Sequence, residues 1–70
     1  MNTSTVKNRS FTSKRGNEVV VFDVKEVAER NGFTGFAGTV RTFAVVNGTE
    51  VDMDAGCSFQ AERVVAEAGF

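Results

Sequence analysis

Arg41, Phe43, Val45, Glu50, Asp52 and Asp54 fall on two stretches that flank Asn47-Gly48. An Asn-Gly pair between Val-rich runs is a strong hairpin signal, because both central residues of a type I′ turn need positive φ. Counting outward from that turn, Val46 faces Thr49, Val45 faces Glu50, Ala44 faces Val51, Phe43 faces Asp52, Thr42 faces Met53 and Arg41 faces Asp54. Strand alternation then separates two faces. Thr42, Ala44, Val46, Thr49, Val51 and Met53 make a core face, and Arg41, Phe43, Val45, Glu50, Asp52 and Asp54 make the opposite one. Apolar anchors rimmed by charge have the composition of a protein interface. The second face therefore reads as a contact surface for a protein with a basic surface, with Arg41 pairing across to Asp54.

Other residues that could do chemistry carry less. Glu50, Asp52 and Asp54 recur at about 7 Å along one strand face, and a straight strand cannot wrap a cation as a calcium loop does. No metal site is expected. The chain has no His, the commonest general acid–base. Its one thiol, Cys57, sits just before an expected helix start, and only Asp54 lies near enough in sequence to act as a base. Cys57 reads as a small buried hydrophobe. Gly32, Gly35 and Gly38 follow an expected helix instead of entering one, so they do not form a phosphate cradle. The chain is expected to be no enzyme and to need no cofactor.

Charge is uneven along the chain. Residues 1–16 hold Lys7, Arg9, Lys14 and Arg15 and no acid, a charge of +4. Residues 17–70 set nine acids against Lys25, Arg30, Arg41 and Arg63, a charge of −5. Lys7, Arg9, Lys14 and Arg15 can grip phosphates, and Phe11 can stack on an unpaired base. Nucleic-acid binding through these five residues is the alternative reading. The acidic body argues against duplex binding over the whole surface.

These residues must be held by elements that turn chemistry and hydrophobic spacing delimit. Residues 1–8 read as a frayed start, and residues 9–70 as one compact domain. Phe11–Ser13 and Glu18–Phe22 flank Lys14–Asn17, where Gly16 supplies the turn. Asp23 and Glu26 form an acidic capping box, Phe22 can staple onto Val27, and Gly32 can be a left-handed C-cap. These signals predict a helix over 24–31. After the hairpin of 39–54, Ser58 is a good N-cap for a second helix. Ala61, Val64, Val65 and Ala68 form its inward stripe, Phe59 can join them, and Gly69-Phe70 closes it. Gly16-Asn17-Glu18-Val19 matches Gly48-Thr49-Glu50-Val51, and Gly32-Phe33 echoes Gly69-Phe70. The expected fold is thus α+β, a small two-layer ββα–ββα domain with an antiparallel sheet and two short helices.

Composition agrees with strands. The 70 residues include twelve Val and seven Phe but no Leu, Ile, Trp, Tyr, Pro or His. No apolar run is longer than Val19–Phe22, far below the roughly 18 residues of a membrane span. The polar first ten residues lack a signal-peptide core, and one cysteine cannot form an internal disulfide, so a cytoplasmic setting is expected. A chain this short buries only about 60% of its unfolded surface. A partner or a homodimer suits that size. Small chains of this style are often viral or mobile-element proteins that inhibit a host machine by binding it. The analogy is one of size alone.

Overall fold

The computed structural model describes residues 2–70. Its order is β1 (Asn2–Thr12), β2 (Glu18–Arg30), β3 (Phe33–Val46), β4 (Thr49–Met53), a 3₁₀ turn (Ser58–Gln60) and α1 (Ala61–Glu67). The strands form one antiparallel sheet in the order β1-β2-β3-β4. The domain is small and mostly sheet, with one short α-helix.

Three tight turns make this meander. Ser13 and Asn17 close the first, with Gly16 at φ 85°. The second and third are both Asn-Gly pairs, Asn31 (φ 52°) with Gly32 (φ 80°) and Asn47 (φ 50°) with Gly48 (φ 77°). Two successive positive φ values are the signature of a type I′ hairpin turn, whose twist matches that of the strands it joins. The β3–β4 register follows the sequence expectation from Val46↔Thr49 through Thr42↔Met53.

The helix expected over 24–31 is absent: these residues complete β2 and enter the Asn31-Gly32 turn. An eight-residue helix is marginal in water, since nucleation fixes several residues for one hydrogen bond. The extended form pairs on both sides, with Asn2–Lys7 of β1 across from Phe22–Val27 and Phe33–Arg41 of β3 across from Val24–Arg30. Those non-local ladders outweigh the local capping signals. Residues 2–8, expected to be frayed, are part of β1 for the same reason, while Met1 lies outside the described residues. The ββα–ββα scheme becomes ββββα.

The second helix is shorter than expected and packs through only part of its expected stripe. Ala61 and Val65 are buried, Val64 is half-buried, and Ala68 and Phe59 face solvent. Ser58 does not cap it by side chain; its carbonyl instead accepts Arg9 Nη2 at 2.9 Å. The C-terminal cap is as expected. Phe70 N donates to Val65 O, Gly69 N donates to Ala66 O, and Gly69 has φ 93°, which together make a Schellman motif. Phe70 thereby folds onto the core, and its carbonyl oxygen accepts Ser13 Oγ (2.6 Å) and Asn17 Nδ2 (3.2 Å).

That core is small and made mainly of Val and Ala. Val19, Val21, Ala44, Val46, Ala61 and Val65 are buried together, with Phe11, Met53 and Phe70 packed against them. It occupies the α1 end of a molecule measuring 47 × 17 × 17 Å. Beyond α1 the sheet continues as an arm, and Phe33 and Phe36 lie exposed along it.

A polar chain centred on the buried Asp23 and Thr42 marks where the core gives way to the arm. Thr42 Oγ1 donates to Asp23 Oδ1 and Asn8 Nδ2 to Asp23 Oδ2, both at 2.7 Å, and Gly56 N donates to Thr42 Oγ1 at 2.9 Å. Asn8 is the residue skipped by the β1–β2 register between Lys7 and Arg9. The bulge turns its amide toward Asp23 on the helix-covered face, and each buried oxygen is satisfied.

Asp23→Ala is expected to cost about 1–3 kcal/mol in urea unfolding, because it orphans the buried Thr42 hydroxyl. Gly32→Val is expected to act locally. A β-branched residue at positive φ costs roughly 1–2 kcal/mol, so amide exchange should accelerate at the arm tip while Val19, Val21 and Val46 keep their protection.

Candidate functional site: the uncovered sheet face

α1 lies on one face of the sheet, against Val19, Val21, Ala44 and Val46. Alternation puts Val20, Phe22 and Val24 of β2 on the other face. They pair in register with Val45, Phe43 and Arg41 of β3, and Val45 and Phe43 pair in turn with Glu50 and Asp52 of β4. Ser10 stands across from Val20, and Lys7 across from Phe22, on β1. One row therefore reads Lys7, Phe22, Phe43, Asp52 across all four strands.

The centre of this face is aromatic. The Phe22 and Phe43 rings stack with centroids 5.5 Å apart and planes 26° apart, an arrangement worth about 0.5–1.5 kcal/mol beyond area burial. Arg41 lies over the second ring, its Cζ 4.3 Å from the Phe43 centroid. The guanidinium is fixed there by Asp52 Oδ1, which accepts Nε at 3.0 Å and Nη2 at 2.6 Å, and by Glu50 Oε1, which accepts Nη2 at 2.7 Å. These hydrogen bonds, Asp52 first and Glu50 second, raise the Arg41 pKa above its ordinary value. Phe43 is left only 9% exposed although no backbone element covers it.

The structure thus brings Arg41, Phe43, Val45, Glu50 and Asp52 onto one face, as their spacing indicates. Asp54 is the exception. It lies beyond the end of β4, where its carboxylate accepts Gln60 Nε2 at 3.2 Å and its carbonyl accepts Cys57 N at 3.0 Å. Arg41 consequently pairs with Asp52 and Glu50 and not with Asp54. Asp54 belongs to the turn that launches the helical segment. Sequence reasoning missed Val20, Phe22, Val24 and Lys7 as members of this face. The β2 signal was the unbroken apolar run Val19–Phe22, which suits apolar residues on both faces, but the expected helix start at Asp23 cut it short.

The residues of the nucleic-acid alternative do not share a face. Lys7 is on the uncovered side. Arg9 pairs with Glu62 and lies 5.0 Å from the Phe11 ring centroid, and Phe11 packs on the core beneath α1. Lys14 and Arg15 are exposed in the β1–β2 turn. Cys57 is half-buried and free. Among the described residues no cluster of His, Cys, Asp and Glu is arranged to hold a metal ion, no pocket opens, and no helix is long and apolar enough to cross a membrane. Comparison with known protein families, with curated proteins and with solved structures gives no match.

The Arg41 lid generates a prediction. Arg41→Ala should uncover Phe43, seen as increased binding of a dye that reports exposed apolar surface, with the far-UV circular dichroism spectrum unchanged. Arg41→Lys should behave like the Ala variant, since a lysine cannot lie flat on the ring while holding two carboxylates.

Proposed function

We propose that this chain is a non-enzymatic protein–protein interaction module that binds through the uncovered face of its sheet. The observation that carries the reading is the placement of Val20, Phe22, Val24, Phe43 and Val45 on the face opposite α1. Apolar residues at the centre with charge at both margins suit recognition of another protein. At the β4 margin, two carboxylates face one guanidinium, which leaves one negative charge for a basic group of the partner to meet. A cytoplasmic inhibitor of a larger host machine is the kind of task this surface suits, because occupying a partner's contact site needs shape and charge but no chemistry.

Nucleic-acid binding has less support. Of its five residues, Arg9 is engaged by Glu62 and Phe11 by the core, so only Lys7, Lys14 and Arg15 are without ion pairs among the described residues.

The two readings separate in one experiment. The tagged chain is used to capture proteins from a lysate supplemented with the untagged chain, alongside Val45→Asp, Asp52→Arg and a Lys14→Glu/Arg15→Glu double variant. Loss of the captured protein with the first two and retention with the third is expected. Retention by all variants overturns the reading. So does a salt-dependent mobility shift of RNA or DNA that only the Lys14→Glu/Arg15→Glu variant abolishes.

A further inference from the structure

We infer that the occupant of the uncovered face is a second copy of this chain, docked sheet to sheet about a twofold axis that runs parallel to the strands between β2 and β3. The inference rests on the proposed role of the face and names its partner. Its basis is the order of residues in the rows that cross the sheet. The row Lys7, Phe22, Phe43, Asp52 runs positive, aromatic, aromatic, negative from the β1 edge to the β4 edge. The next row, Ser10, Val20, Val45, Glu50, runs hydroxyl donor, apolar, apolar, carboxylate acceptor.

A twofold along the strands reverses left and right but keeps each row at its own height. Lys7 of each copy then stands over Asp52 of the other, Ser10 over Glu50, and Phe22 over the Arg41-capped Phe43. The remaining in-plane twofold, across the strands, would set Lys7 over Lys7 and Asp52 over Asp52, a like-charge arrangement that disfavours docking. The row order therefore selects one axis, and the surface is self-complementary as an isologous interface must be. Lys7 is exposed and makes no ion pair among the described residues, so it is free to meet the negative charge left at the β4 margin. Two sheets stacked in this way form an aligned sandwich with a spacing of about 10 Å. Each copy contributes Val20, Phe22, Val24, Phe43 and Val45 to the layer between them.

The arms follow from the same axis. A twofold parallel to the strands sends both arms to the same end of the dimer, whereas the crossed alternative sends them to opposite ends of a particle built from units 47 Å long.

Sedimentation equilibrium of the wild-type chain at submillimolar concentration is expected to give a dimer. Lys7→Glu and Asp52→Lys should each weaken it about tenfold, and the Lys7→Glu/Asp52→Lys charge swap should restore most of the loss. Circular dichroism of each variant checks that it is folded. Spin labels at Phe33→Cys in a Cys57→Ser background should report a short inter-copy distance. A monomer, a dimer indifferent to both single variants, a swap that fails to restore association, or labels held at opposite ends would each overturn the inference. If the wild type is a monomer yet still captures a protein through Val45 and Asp52, the inference falls while the reading of the face stands.

Discussion

Two consecutive residues at positive φ, Asn31 and Gly32, decide the shape of this protein. By reversing the chain there, they make β2 and β3 one long hairpin, paired from Val19↔Val46 out to Arg30↔Phe33. β1 can then lie along the far side of β2, with Asn2 reaching Val27. Both faces of the long central pair are thereby laid out, and α1 is long enough to cover only one face at one end. A helix over 24–31 would have removed the partners of Asn2–Thr5 and left the first part of β1 without its ladder.

The sheet's two faces reach low exposure by different means. On one, Ala61 and Val65 of α1 meet Val19, Val21, Ala44 and Val46, which is ordinary burial of apolar surface. On the other, a charged side chain lies flat across an aromatic ring and is held there by two carboxylates. The arginine stem and guanidinium shield Phe43 while remaining hydrated, so the face is apolar at its centre without being bare. This explains how a face with three Val and two Phe can be carried by a chain with no second layer on that side.

The hairpin around Asn47-Gly48 was legible because turn type fixes register and register fixes faces, down to Phe43 beside Asp52. The Schellman cap at Gly69-Phe70 was legible for a similar reason. Gly32-Phe33 misled because a glycine at positive φ serves both a helix cap and a hairpin turn. The residue before it is what separates them: Asn31 takes φ 52°, whereas Ala68 stays helical at φ −78°. Asp54 misled differently. Strand alternation was extended one residue beyond Met53, to where the chain already turns toward Cys57. The Asn8–Asp23–Thr42 chain could not be read in advance, since it depends on a bulge that sequence spacing does not announce.

That bulge has a second consequence. β1 is an eleven-residue edge strand, and a long flat edge offers a row of open backbone groups to any other extended chain. The register break beside Asn8 interrupts that row near its middle, and Lys7 places a positive charge on one side of the break while Arg9 on the other is paired with Glu62. An incoming strand would lose its ladder at the bulge and meet the charge of Lys7 there. The feature that aims an amide at Asp23 thus also guards the β1 edge against fibre-like growth.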